Sequence, residues 1–423
     1  MMPRGSLKKS AHIIVGLALC VAGCTWAGDY SVLAEQKFQL DAPRPHPLSL
    51  AKTADGGYIV AGALGRRAFA IKANASLGKT WQTYLVAQEI AYTPNTVIST
   101  PDGGSILAGQ TRIRGEKGSA LNAPFAAKLD PTGNVVWNRE YGSQRGLEGN
   151  GAFACGAATR GGILLIGMRY KLWHEQPTRT GTALGSQLWI TRLNKQGEVE
   201  WEKGIAVDGS DLVTPLLLQK DNCARPIEEE RGAVVFAIST AMSASLVRDG
   251  RRIVAGPEIS YQDKRVVLVF KLDREGRELA RLRLADGSIP RLFANKDGYV
   301  LIDNNLKKGA RGVRETFMNG DLKVSRQHAL QSDGPYFYME AALPDEQGGF
   351  HLAGYYTTPP AGRGRSAMAY LNDRGELLDL TQFGWALPSW QPIALANRDD
   401  AQFVLLRQNK KGGIELSTLN HLH

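Results

Sequence analysis

Short apolar runs alternate with turn sequences rich in Gly, Asp and Asn along most of the chain. The clearest unit begins Asp102-Gly103-Gly104-Ser105-Ile106-Leu107-Ala108-Gly109 and continues with Ala127-Lys128-Leu129-Asp130-Pro131-Thr132-Gly133-Asn134-Val135-Val136-Trp137. Each half reads as a β-hairpin. Asp-Gly-Gly supplies the positive-φ positions of a tight turn, and Ser105 to Ala108 then runs apolar, as a buried strand does. In the second half Pro131 presets φ, Gly133 closes the turn, and a further strand ends on a large aromatic. Two hairpins make a four-stranded unit.

That unit recurs. Asp55-Gly56-Gly57-Tyr58-Ile59-Val60-Ala61-Gly62 leads to Gly78 and Trp81, and Gly161-Gly162-Ile163-Leu164-Leu165-Ile166-Gly167 leads to Gly197 and Trp201. A fourth unit is less regular, with an insertion between Val234–Ile238 and Val266–Asp273. A fifth carries Asp297-Gly298-Tyr299 and Asn319-Gly320, a sixth Gly348-Gly349-Phe350 and Asp373-Arg374-Gly375, and a seventh Phe403–Leu406 and Ile414–Leu419. The intervals fit the roughly 40 to 50 residues of a propeller repeat, the longer ones containing loop insertions. The predicted fold is an all-β, single β-propeller of seven four-stranded blades. The last blade lacks an outer strand, and Tyr30 to Leu40 reads as the strand that closes the ring.

The repeats, written DGGYxxAG and KLDxxGxxxW, resemble those of bacterial exported β-propeller lipoproteins and, more loosely, the quinoprotein-like propellers. That resemblance covers nearly the whole chain after the N-terminal leader. It implies an architecture and no particular activity. The Asp130–Gly133–Trp137 turn is also similar to the Asp box of sialidases, but its spacing differs, and no sialidase chemistry is carried over.

Residues 1–23 read as a signal peptide: Arg4, Lys8 and Lys9 precede an apolar stretch, Ile13 to Val21, too short to span a bilayer. Val21-Ala22-Gly23-Cys24 is similar to the lipobox of bacterial lipoproteins, which implies acylation of Cys24. Residues 24–29 then form an anchor linker and 30–423 the propeller domain. The alternative is an ordinary signal cleaved nearby, for instance after Ala27. The expected address is the bacterial cell envelope: periplasmic, lipid-anchored, at the outer membrane. Beyond Cys20 and Cys24 only Cys155 and Cys223 remain. In an oxidising compartment they are expected to form a disulfide between blades three and four, two buried free thiols being the other reading.

Candidate chemistry is sparse. The seven histidines form no close metal-ligand pair, and neither a Gly-rich phosphate loop nor a GxSxG elbow occurs. No metal, catalytic residue or cofactor is assigned, although two carboxylates converging from different blades stay open as an enzymatic alternative. Asp208-Gly209, Asp286-Gly287 and Asp333-Gly334 suit turns as well as a ring of cation ligands. Trp81, Trp137 and Trp201 occupy matching fourth-strand positions and read as packing between blades, whereas Trp173, beside His174, lies in a polar insertion and is a candidate anchor.

Charge changes the picture most. The formal net charge is +10, and basic residues gather in the links between second and third strands, which emerge on one face of a propeller. These links carry Arg66 and Arg67, then Arg112, Arg114 and Lys117, then Arg169, Lys171 and Arg179. Blade four adds Arg248 and Arg251, blade five Lys307, Lys308, Arg311 and Arg314, and blade six Arg363 and Arg365, with Arg407 in blade seven. Such a face steers acidic partners. The sequence therefore reads as a monomeric, non-enzymatic binding module for an acidic protein, a scaffold subunit or an immunity-type inhibitor of an exported toxin. The alternative is an enzyme or binder acting on an anionic glycan. Nucleic acid is not expected in this compartment.

Overall fold

A computed structural model describes residues 30–40, 45–88, 90–114, 120–142, 151–172, 184–205, 222–241, 246–249, 252–255, 265–307, 311–330, 336–357, 365–386, 390–399, 402–409 and 413–421. The leader and Cys24 lie outside the described residues. Seven four-stranded antiparallel sheets form a seven-bladed β-propeller, as expected. In blade one the strands are His46–Lys52, Tyr58–Leu64, Arg67–Ala73 and Lys79–Leu85, paired in that order outward from the axis. The first strands of the following blades are Ile90–Ser99, Gly151–Thr159, Ile227–Glu228, Gly287–Asn295, Tyr336–Pro344 and Trp390–Asp399. The blade-four insertion contains a small hairpin, Leu246–Asp249 with Arg252–Ala255.

Ring closure follows the predicted route. Tyr30–Phe38 pairs antiparallel with Ile414–His421 and becomes the outer strand of blade seven. Tyr30 is wholly buried among Phe403, His351 and His421. Its hydroxyl donates to the Ala369 carbonyl at 3.1 Å and lies 3.0 Å from His351 Nδ1. Blades six and seven are thus tied to the chain's first described strand.

The second-strand glycine of the DGGYxxAG repeat is explained by the first strand beside it. First strands shift register between His46/Leu48, Pro94/Thr96, Phe153/Cys155, Ser288/Arg291, Met339/Ala341 and Pro392/Ala394, a β-bulge in each of these six blades. The bulge pushes the chain toward its neighbour. A Cβ on Gly109, Gly167 or Gly354 would overlap the carbonyl oxygen of Thr93, Ala152 or Tyr338, so only glycine fits there. Pro47, Pro94, Pro290 and Pro392 lie at the bulges, where the strand's other edge faces the axis and needs no ladder N–H.

The tryptophans join blade to blade. Trp81, Trp137 and Trp201 donate their indole N–H groups to the carbonyls of Pro131, Lys195 and Arg274 in the next blade, at 2.9, 3.3 and 3.1 Å. Each indole covers a positive-φ glycine of that turn, Gly133, Gly197 and Gly276, where a Cβ would come within 2.8–2.9 Å of the ring.

Candidate functional site

The blade topology produces two unlike faces. Turns joining first to second and third to fourth strands emerge on one face, and links joining second to third strands emerge on the other. On the turn face, cations share their turns with carboxylates: exposed Lys195, Lys296, Lys323 and Arg374 lie beside Glu198, Asp297, Asp321 and Asp373, and other cations are directly paired. Lys72 bonds Asp55 at 2.6 Å, Lys128 pairs with Asp102, Lys271 lies 2.7 Å from Glu229 and Arg277 2.5 Å from Asp273. Hydrogen bonds from Lys72 and then Thr53 hold the Asp55 pKa down at about 2. At Asp102 burial pushes the carboxyl up, but bonds from Lys128, Thr100 and Gly104 together bring it to about 2.

The link face is different. Arg66, Arg112, Lys307, Arg311 and Arg365 are exposed there, in blades one, two, five and six. None of them makes an ion pair with another described residue, and half-buried Asp286 is an acidic neighbour on this face. Arg67 stacks over the Tyr84 ring at 4.8 Å. Arg169 is half-buried, 4.0 Å over the Trp189 ring and 3.5 Å from Glu202, so much of its charge is engaged within blade three. Arg114 and Lys171 stand at the link-face ends of second strands, and Arg248 lies in the insertion hairpin. Lys117, Trp173, His174, Arg179, Arg251, Lys308 and Arg363 lie outside the described residues, as do Asp208 and Asp333.

Arg314 is a correction. It is expected in the link, yet the third strand of blade five, Gly312–Met318, begins early enough to take it into the sheet opposite Asp303. Its guanidinium bonds both carboxylate oxygens at 2.9 and 2.6 Å in the buried core, leaving nothing to present to a partner. Arg407 is likewise buried, between Glu35 at 2.8 Å and Glu415. In both cases the strand runs further toward the link face than the hydrophobic pattern shows.

Inside the ring, the first strands of all seven blades enclose an axial cavity of about 290 Å³. Its wall includes the disulfide between Cys155 and Cys223, whose Cα atoms are 5.8 Å apart. Arg225 and Arg291 also line it, and no lining residue is acidic. Arg291 is held by bonds from its guanidinium to the carbonyls of Pro290, at 2.9 Å, and Glu340, at 2.5 Å. Solvent still reaches Arg225, while the surrounding walls displace enough water to lower its pKa. Sequence reasoning missed both arginines because it searched the loops. A usable signal existed: each adjoins a proline, Pro226 or Pro290, of the kind that marks the axial strands.

Among the described residues no three His, Cys, Asp or Glu side chains converge as a metal site. A different buried group lies between blades five and six. Glu315 is 2% exposed, its carboxylate has no hydrogen-bond partner among the described residues, and it sits against Gly375 with His328 opposite in register. Burial pushes its pKa up to about 7, against the pull of Arg326.

No protein-family model matches the chain, and no curated protein matches it. Solved structures of similar fold include Trypanosoma rangeli sialidase in complex with the inhibitor DANA, at 10% identity and a TM-score of 0.44, covering 92% of this chain and 60% of the sialidase. A Mycobacterium tuberculosis puromycin-hydrolyzing peptidase is similar at 12% identity and a TM-score of 0.47, covering 86% of this chain and 51% of the peptidase. The chain thus spans only part of the length of either protein. Likeness at this level concerns the fold alone, and no catalytic residue is carried across.

Proposed function

We propose that the chain is a membrane-anchored periplasmic binding module that engages an acidic protein partner through its link face. The partner class is a complex for which the propeller is a scaffold subunit, or an exported toxin that it inhibits as an immunity-type protein. One observation carries this reading: described cations on the turn face share their turns with carboxylates, several as ion pairs, whereas Arg66, Arg112, Lys307, Arg311 and Arg365 are exposed on the link face and make no ion pair with a described residue. An unmatched surface field is available to an incoming partner and raises its association rate.

The test is charge reversal where the side chains are exposed and make no ion pair. Arg66→Glu with Arg112→Glu should leave stability within about 0.5 kcal/mol per site. It should slow association with the native acidic partner several-fold and flatten the salt dependence of that rate. A partner identified by cross-linking in the envelope that binds the double variant with unchanged rate and salt slope rules the link face out. Retention of the parent on a uronate polymer, with no stoichiometric protein recovered, would favour the anionic-glycan alternative.

A further inference from the structure

The axial cavity holds an unmatched cation of its own. Three buried arginines elsewhere are paired: Arg314 with Asp303, Arg407 with Glu35 and Glu415, Arg192 with Glu200 at 3.1 Å and Glu228 at 3.7 Å. Arg225 makes no hydrogen bond or ion pair with any other described residue. Arg225 is exposed on a cavity wall that carries no carboxylate, so its charge stands unmatched and an anion entering the cavity would pair with it.

Position supports the same conclusion. Arg225 lies three residues before Glu228 in blade four, and Arg291 four before Asn295 in blade five, so neighbouring blades present the two at corresponding depth. Both are held in place. Arg291 is bonded to carbonyls of blades five and six, and Arg225 follows the disulfide-bonded Cys223 by two residues on the same wall. A cavity of about 290 Å³ is at the small end for organic ligands, which suits a single small molecule. Its walls mix apolar Leu50 and Phe293 with the Ser49 hydroxyl, a lining suited to a small ring bearing an acid group.

We infer that the axial cavity is a binding site for a small organic carboxylate of sugar-acid size, held by Arg225 with Arg291 as the second cation. A carboxylate meets the planar fork of a guanidinium in a bidentate pair, and its remaining oxygen lone pairs can reach the second arginine. The site is independent of the link face, which lies outside the ring.

D-glucuronate is the probe, with D-glucose as the neutral control, in calorimetric titration of the full chain at low salt. The parent should bind one glucuronate saturably and no glucose. Arg225→Gln should weaken binding roughly ten- to hundredfold, the range for a lost charge-assisted bond. Arg66→Glu should bind glucuronate like the parent, so loss of the link-face reading would leave this site standing. Phenylglyoxal modification of the parent, mapped by mass spectrometry, gives a readout needing no variant: glucuronate should protect Arg225 and glucose should not. Absence of saturable binding, equal affinity in Arg225→Gln, equal loss in Arg66→Glu, or an unprotected Arg225 would each overturn the site. Uptake of inorganic phosphate without glucuronate would overturn the carboxylate assignment.

Discussion

Glu315 shows how one residue can make the stability of a whole ring depend on pH. Blade one places a small and a hydrogen-bonding side chain at the equivalent inter-blade position, Ala70 and Thr83, with the Thr83 hydroxyl donating to the Gly133 carbonyl at 2.7 Å. Blade five substitutes Glu315 and His328, and the turn of blade six closes over the carboxylate. The unfolded chain releases this proton near 4.5, as an ordinary glutamate does, and the folded chain holds it to about 7. Between those values the native state binds the extra proton, so its stability falls as pH rises and levels off above 7. Glu315→Gln should therefore match the parent near pH 4.5 and exceed it by roughly 3 kcal/mol at pH 8. Urea denaturation of both proteins across that range checks it, and parallel curves would refute the buried-charge account. The Trp–Gly contacts work at the same scale. Gly133, Gly197 and Gly276 adopt positive φ and also vacate the space that the preceding blade's indole fills. The repeat's two most visible letters are thus one contact, made between blades.

At the scale of the element, the first strands do the most to shape the molecule. Their bulges bend each strand toward its partner, while side chains recover the backbone groups so displaced. Asn95 donates to the Phe153 carbonyl at 2.7 Å, and Asn304 bonds both the Met339 carbonyl and its N–H at 2.8 Å. Each of these bonds reaches the next blade, so the axial ring is held by hydrogen bonds as well as by packing. Ring closure is the second matter at this scale. Tyr30–Phe38 covers the otherwise open edge of Ile414–His421 and brings the buried Tyr30 and Phe38 rings with it. Tyr30→Ala should cost about 3 to 5 kcal/mol, the usual cost of truncating a buried aromatic. Deleting residues 30–38 should further expose a pairing edge and produce concentration-dependent association in analytical ultracentrifugation. A monomeric deletion variant melting with the parent would show that the ring closes without this strand.

For the whole molecule, the partition of charge matters more than its sum. The net charge of +10 states only that cations are in excess. The fold sets the turn-face cations among carboxylates and leaves Arg66, Arg112, Lys307, Arg311 and Arg365 exposed without ion pairs on the link face, which is where the proposed partner meets the protein. The proposed anchor sets how that face is presented, because acylation at Cys24 would tether the ring by a few residues preceding its closing strand. Two or more acyl chains give effectively stable membrane attachment. Cys24→Ala should accordingly move the protein from the membrane to the soluble fraction and abolish palmitate labelling. A variant that still labels and sediments would show that the attachment lies elsewhere.

The sequence by itself determined the repeat, the number of blades and the closing strand, because these depend on local turn chemistry and on strand alternation. Asp102-Gly103-Gly104 and Gly133 act within a few residues of themselves, and an unpaired final hairpin calls for a fourth strand whatever surrounds it. Local pattern also marked the link face as basic. Tertiary structure alone decided which of those cations are free. Arg314 and Arg112 look alike in the sequence, but one faces Asp303 across a buried ladder and the other faces solvent. The axial cavity was equally out of reach, because Arg225 and Arg291 converge only when seven first strands, far apart in the chain, close around one axis. A carboxylate lost to solvent contact at Glu315 follows the same logic: its pKa depends on Gly375 of the next blade, and no local pattern encodes that neighbour.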